Sequence, residues 1–449
     1  MQIMRKTSKR EPDFGKDKIM SILLRLSPPV MLAQLIQALY NLIDSYFVGS
    51  YSESGLTALS IIYPLQLLMI ALAVGTGVGI NTLMSHFLGI GDSKKSDETA
   101  GVGTPLACAI WFAFAVICWF IMPFYADIST ETKQIAQEVV VYGRIVCVCS
   151  FGIFFESVWT KILQATGNMK IPMVAQIVGA IVNIILDPIM IFGFGFIPKM
   201  GIAGAAIATV IGQSTAAVIV MFKGLKKPPK LSKFGHYIKR IYHLGFPNIL
   251  MQSAYTFYIF GLNLILKTFS DQAVTVLGLY YKWQSLVFIP LGAMQTCIVP
   301  VISYNYGAGM FDRCRKTLKD SVLLGTTIML IGVLAFELIP TQLLMTFSSD
   351  SAVISIGTTA FRIIGTSFIP LVTSLIYPVY FQAIGSAFKS PMLTILRTVV
   401  LLVQLGIIFA QIGLDFFWLT FPCTEIITTI VGFSLYKFEK RKMILHNNS

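Results

Sequence analysis

A chain of 449 residues that is 55% hydrophobic and only 12% charged lies outside the soluble class, where about 25% of residues are charged. Its mean hydropathy of +0.75 points to a polytopic helical membrane protein and excludes disordered, collagenous and disulfide-scaffold chains. The net charge of +13 could suit nucleic acid. In a membrane chain it reads instead as loops rich in Lys and Arg on one side of the bilayer.

Twelve apolar stretches predict membrane-crossing helices at about 27–48, 56–86, 101–124, 138–160, 171–194, 201–222, 245–267, 274–304, 318–340, 353–380, 392–411 and 414–436. The basic N-terminus (Arg5, Lys6, Lys9, Arg10, Lys16, Lys18) precedes a long apolar run without a small-residue cleavage site, so no signal peptide is expected. Twelve spans put both termini on one side. That side collects Lys94, Lys95, Lys161, Lys170, Lys389, the run Arg313–Lys319, the central loop 223–240 and the tail from Lys437, whereas the other side holds Lys133, Lys199 and Lys267. The asymmetry predicts cytoplasmic termini. The seven cysteines fall mostly within apolar runs and read as free, buried thiols rather than a metal site.

An internal repeat organises the chain. Leu26-Ser27-Pro28-Pro29 aligns with Leu244-Gly245-Phe246-Pro247 at a shift of 218 residues. Leu59 and Tyr63, Gly89 and Gly91, Arg144-Ile145, and Gln164-Ala165-Thr166-Gly167 find partners at the same shift in Leu277 and Tyr281, Gly307 and Gly309, Arg362-Ile363, and Gln382-Ala383-Ile384-Gly385. Pro172-Met173 matches Pro391-Met392 after one inserted residue. Two six-span halves insert the same way up, so the expected fold is all-α and integral to the membrane. Its parts are a lobe over 1–222, a basic linker over 223–240 and a second lobe over 241–449, the lobes related by an axis along the membrane normal. Two such lobes around a cleft suit alternating access by rocking. An inert bundle or a channel is the alternative.

An ionisable side chain in the bilayer core costs about 2.5–3.5 kcal/mol on insertion scales, so each one marks a candidate site. Gln34, Gln37, Asn41 and Asp44 are spaced along one face of the first helix, with Tyr40 close by. A hydrogen-bonded seam between helices is the alternative, though a seam does not need an acid. Asn183 and Asp187 share a face of the fifth span, and Pro188 can loosen the preceding turn. Two carboxylates, an amide and a hydroxyl are hard donors suited to Na+. The same carboxylates, desolvated and close together, could carry H+ instead. The alternative for Asp187 is a solvated place near the outer interface. Gln34, Gln37, Tyr40, Asn41, Gln176, Tyr255 and Lys282 are the candidate lining of a substrate cavity. Glu156 could pair with Lys161, and Arg144 and Arg362, equivalent in the repeat, read as structural. At the repeat shift Asp44 becomes Leu262 and Asp187 becomes Gly406, so the coupling site is expected in the first lobe alone. Gly75, Gly77 and Gly79 lie within a span and read as close helix packing. No P-loop is present, so ATP is not expected as a partner, and the one-sided basic loops account for the positive charge without nucleic acid.

Asp44-Ser45-Tyr46-Phe47-Val48-Gly49, the Asn183–Pro188 run, Gly201-Ile202-Ala203-Gly204-Ala205-Ala206-Ile207-Ala208-Thr209 and the twin Gln-Ala-x-Gly segments resemble the MATE (multidrug and toxic compound extrusion) family, in its DinF-like and MepA-like bacterial branch. The resemblance implies a first-lobe cation site at Asp44, Asn183, Asp187 and Thr209, with Tyr40 as a cavity tyrosine. The family's other branch carries acids in the seventh and tenth helices. Here the seventh offers Gln252 and Tyr255 and the tenth only Arg362, which argues against a second-lobe cation site. The implied function is export of amphipathic or cationic small molecules across the inner membrane of a bacterium in exchange for Na+ or H+. No enzyme activity and no cofactor beyond the coupling ion are expected, and the oligomeric state stays open. The rivals are a lipid-linked oligosaccharide flippase of the same superfamily, which would need a cationic cavity (Lys282, Arg397), and a non-transporting membrane sensor or partner subunit.

Overall fold

Backbone groups in hydrocarbon have no water to bond, so a chain this apolar must satisfy them within helices. The computed structural model describes residues 11–195, 197–386 and 388–447, and among them the only extended pairing is an isolated bridge between Phe194 and Ile197. Arg5, Lys6, Lys9 and Arg10 lie outside the described residues. The helices are α1 (Ile19–Tyr51), α2 (Glu53–Ile90), α3 (Ser93–Ser129), α4 (Lys133–Ala165, in two pieces), α5 (Lys170–Phe192) and α6 (Ile202–Gly224). They continue as α7 (Phe234–Lys267), α8 (Asp271–Val287 and Ile289–Gly307), α9 (Phe311–Leu338), α10 (Ser351–Gly365 and Phe368–Ala383), α11 (Lys389–Ala410) and α12 (Thr420–Asn447).

Ten of these regions are long and apolar enough to cross a bilayer unbroken, and α8 and α10, bent by 50° and 54°, bring the number of spans to twelve. The second pieces begin just before Pro290 and Pro370, prolines that sit in a first turn where a missing N–H costs nothing. Most helices also outrun their apolar stretches, because polar first and last turns stay helical at the interface. Cys108 and Cys149 are exposed, correcting the expectation of uniformly buried thiols.

Buried apolar side chains fall into two clusters. One joins the end of α1 to α2–α6, with Tyr237 and Ile241 from the start of α7. The other joins α7–α12 and also takes Ile19, Ile22, Leu23, Leu26 and Val30 from the start of α1. The first helix is therefore shared: its beginning is built into the core of the second half.

The repeat is visible in individual contacts. Ser85 Oγ donates to Ala165 O at 3.4 Å, and Ser303 Oγ, 218 residues on, donates to Ala383 O at 2.9 Å. Gly89 faces the carbonyl of Tyr304 across the α2–α8 crossing, and Gly307 faces the carbonyl of His86. These are the same two positions with the lobes exchanged, the reciprocity that a two-fold axis imposes. Gly79 likewise meets Ile241 O, and Gly245 meets Gly75 O, so α2 runs against α7 as closely as backbone permits. The glycines of α2 serve helix packing.

The segment before α1 seals the same end. Phe14 is buried against Tyr304 with ring centroids 5.8 Å apart, and its ring also abuts Gly167 between α4 and α5. Its carbonyl accepts from Asn305 Nδ2 at 3.0 Å and from Arg313 Nη2 at 2.6 Å, while Arg313 Nη2 also reaches Asp17 O at 2.7 Å. Asn168 Nδ2 donates to Glu11 at 3.1 Å. One short stretch thus ties the α4–α5 turn of the first half to the α8–α9 turn of the second.

Gly89→Ala or Gly307→Ala places a methyl group against a backbone carbonyl that cannot swing aside, so the two helices must part. The expected loss is about 1–3 kcal/mol, read as a lower thermal midpoint of the detergent-purified protein. An unchanged midpoint would mean that α2 and α8 do not cross this closely.

Candidate functional site

Asp44 lies late in α1, Asn183 and Asp187 are one turn apart on α5, and Thr209 is in the second turn of α6. The α5–α6 crossing is built on glycine: a Cβ on Gly179 or on Gly212 would stand 2.7 Å from the other's carbonyl oxygen. That approach brings the Asn183 and Thr209 faces together, while α1 packs on α5 from another side. All four side chains are withdrawn from the surface, at 9% exposure for Asp44, 2% for Asn183, 0% for Asp187 and 7% for Thr209. Full burial of Asp187 removes the alternative of a solvated position near the interface. The helix runs on through Pro188, whose missing N–H leaves the Ile184 carbonyl without its usual helical donor.

Among these groups the structure gives one hydrogen bond, from Asn183 Nδ2 to Asp187 Oδ1 at 3.2 Å. Asp44 Oδ1, Asp187 Oδ2, Asn183 Oδ1 and Thr209 Oγ1 are all buried without a hydrogen-bond partner among the described residues. Asp44 and Asp187 interact electrostatically with each other and with Tyr40. Buried acceptors of this kind are costly unless something positive satisfies them. Two carboxylates, an amide oxygen and a hydroxyl form a hard oxygen set that suits a small monovalent cation or a proton.

Among the described residues the second lobe has no such group of acids. Leu262, which replaces Asp44, and Leu402, the counterpart of Asn183 at the adjusted shift, are buried. A Cβ on Gly406, the counterpart of Asp187, would lie 3.1 Å from Leu262 Cδ2. The two positions that carry acid in one lobe touch in the other, where they are apolar.

Two cavities adjoin the site. A side chamber of about 80 Å³ is walled by Tyr40, Gly179, Asn183, Thr209 and Gln213. A central cavity of about 620 Å³ lies between the lobes, with Gln34, Asn81, Lys161 and Gln164 on one wall and Asn248, Gln252, Tyr255, Tyr258, Gln284 and Arg397 on the other. Gln37, Ile153, Glu156 and Gln176 border both. Of the residues expected to line a cavity, Gln34, Gln37, Tyr40, Gln176 and Tyr255 do so. Asn41 is exposed and borders neither cavity. Lys282 is likewise outside: its ammonium lies 4.9 Å above the Phe347 ring, where α8 turns it away from the cleft.

Glu156 and Lys161 were legible only as a possible pair, and that pair is not formed. Glu156 Oε1 accepts from Thr160 Oγ1 at 2.7 Å, and Lys161 Nζ donates to Gln164 Oε1 at 3.0 Å. Both face the central cavity. Arg397, too, proves to be a cavity residue. It sits on a π-helical turn of α11 and is clamped by Glu425 of α12, with Nη2 to Oε1 at 2.6 Å and Nε to Oε2 at 3.0 Å. Ser374 also bonds that carboxylate. The extra residue of the π turn re-aims Arg397, which no spacing rule in the sequence discloses.

Two lobes of six spans around a shared polar cleft define a membrane transporter, not an enzyme. The chain belongs to the MatE family, whose model matches residues 29–189 and 247–408, one stretch in each lobe. It is similar to the multidrug export protein MepA of Staphylococcus aureus (strain MRSA252), 24% identical over 415 residues that cover 89% of this chain and 90% of that protein. MepA of Staphylococcus saprophyticus is 22% identical over 411 residues, with the same coverage. Among solved structures, the outward-facing form of a multidrug resistance MATE family transporter of the MOP superfamily superimposes with a TM-score of 0.89. It is 24% identical, and the match covers 96% of this chain and 98% of that one. A MOP superfamily transporter from Pyrococcus furiosus gives a TM-score of 0.88 at 24% identity, with the same coverage.

Asp187→Asn removes a buried charge whose second oxygen has no donor. In Na+-free, mildly alkaline buffer the variant should melt at a higher temperature than the parent, by the equivalent of about 1–3 kcal/mol. A carboxylate already satisfied by the fold would give the opposite sign.

Proposed function

We propose that the protein is a secondary active multidrug efflux antiporter that exports amphipathic or cationic organic compounds in exchange for inward Na+ or H+. The observation that carries this reading is the set of unpartnered oxygens on Asp44, Asn183, Asp187 and Thr209 beside a chamber whose wall is shared with the central cavity. An ion that enters this set gains the coordination the fold withholds. Side chains at the shared wall, Gln37 and Gln176 among them, must then readjust, and the adjoining cavity changes with them. That differential contact is what allows one ligand to shift the balance between two states. The names of the staphylococcal relatives, both multidrug export proteins, support the same substrate class.

The basic side is read as cytoplasmic and the membrane as the plasma (inner) membrane of a bacterium. The α2–α7 and α2–α8 contacts and the Phe14 seal then hold the lobes together at the cytoplasmic end, so the cleft faces outward until they part. The flippase reading loses its main support. Lys282 is outside the cleft, and the charge of Arg397 is matched by Glu425.

The test is dye efflux from proteoliposomes with Na+ and pH gradients imposed separately. One gradient should drive export, and Asp44→Asn and Asp187→Asn should each abolish the driven component. If both variants export as the parent does, the coupling site is elsewhere. If neither gradient moves substrate, the antiport reading fails.

A further inference from the structure

We propose that Glu156 is the residue that selects positively charged substrates, acting as the counter-charge for an organic ammonium in the central cavity. The inference rests on the transport reading above but concerns a different residue from the coupling acids. Of the side chains that line the central cavity, Glu156 is the one carboxylate, and neither Asp44 nor Asp187 borders that cavity. Its position is fixed by the Thr160 hydroxyl at 2.7 Å, and Gln176 lies on the same wall. Among the described residues it forms no ion pair: Lys161 stays within electrostatic range but gives its ammonium to Gln164. The other cationic group of the cavity, Arg397, is neutralised by Glu425 on the far wall. A carboxylate held in place without a direct ion-pair contact is therefore the acidic group that a cavity of about 620 Å³ presents to a cation, with the Lys161 ammonium turned to Gln164. Across the cleft, Tyr255 and Tyr258, edge to face with centroids 5.2 Å apart, offer aromatic surface to the rest of such a molecule.

Glu156 also borders the side chamber and interacts electrostatically with Tyr40, which stands between it and Asp44 in that network. A cation at Glu156 and an ion at the coupling acids therefore raise each other's electrostatic cost, which is the sign that exchange requires. The substrate contact is thus placed one helix away from the ion contact, on α4 rather than on α1 or α5.

The experiment is equilibrium binding to the detergent-purified full chain, with ethidium as a fixed aromatic cation and Nile red as an uncharged aromatic probe. Glu156→Gln should weaken ethidium by about tenfold or more and change Nile red less than about twofold. Glu156→Asp, which keeps the charge but shortens its reach, should lie between parent and Gln variant for ethidium alone. Equal weakening of both probes in both variants would assign Glu156 to the packing of the wall and overturn the proposal, as would unchanged ethidium binding in Glu156→Gln. Because the readout is binding, it is separate from coupling. Asp44→Asn protein should keep the difference between the probes even if gradient-driven export proves absent.

Discussion

The constraint on which this protein turns is the cost of holding carboxylate oxygens in an apolar bundle without donors. Asp44 and Asp187 are buried, and each keeps one oxygen that nothing in the described fold satisfies. A structure selected only for stability would neutralise or pair such groups. The second lobe does so in two ways. It carries Leu262 and Gly406 at the equivalent places, and it matches its own buried acid, Glu425, to Arg397 with a near-complete set of hydrogen bonds. One fold, duplicated, therefore holds its buried Glu425 paired in one lobe and its buried Asp44 and Asp187 each with an unpartnered oxygen in the other.

That asymmetry is laid over a symmetric scaffold. The reciprocal contacts of Gly89 with Tyr304 and of Gly307 with His86 place the axis between α2 and α8, and the serine-to-carbonyl bonds at Ser85 and Ser303 repeat the same detail in each half. Backbone-to-backbone contact without side chains between makes this seam thin. A thin seam can open without dismantling a core, since each half keeps a buried cluster of its own. The exceptions are the beginning of α1, built into the second cluster while Val48 near its far end belongs to the first, and the beginning of α7, whose Tyr237 and Ile241 are built into the first. α1 thus contributes buried side chains to both clusters.

Polar groups in the cleft are mostly amides, among them Gln34, Gln37, Gln164, Gln176, Gln252, Gln284, Gln295 and Gln382. Amides can donate or accept as a ligand demands and carry no fixed charge. Such a lining tolerates varied molecules, and the few charged groups in it then set polarity. Glu156 and Lys161, kept apart on successive turns of α4 by Thr160 and Gln164, have more weight in the cleft than their number suggests.

Much of this was legible in the residues alone. Twelve spans, their shared orientation in the two halves and the location of both acids in the first half follow from hydropathy, the 218-residue shift and the cost of charge in lipid. These are one-dimensional signals, because the bilayer forces long apolar segments and penalises every exception. Helical spacing also made the stripe Gln34, Gln37, Asn41, Asp44 and the pair Asn183–Asp187 readable as shared faces, although Asn41 borders neither cavity. What the sequence could not supply was which face meets which neighbour. Asn41 and Lys282 lie on helices of the right kind but border neither cavity, Lys282 lying over the Phe347 ring. Glu156 and Arg397 turn into the cleft, the latter because one π turn rotates α11 by about a residue. Those outcomes depend on helix rotation, bends and crossing distances, which are set by contacts between segments far apart in the chain and so exist only once the lobes have packed.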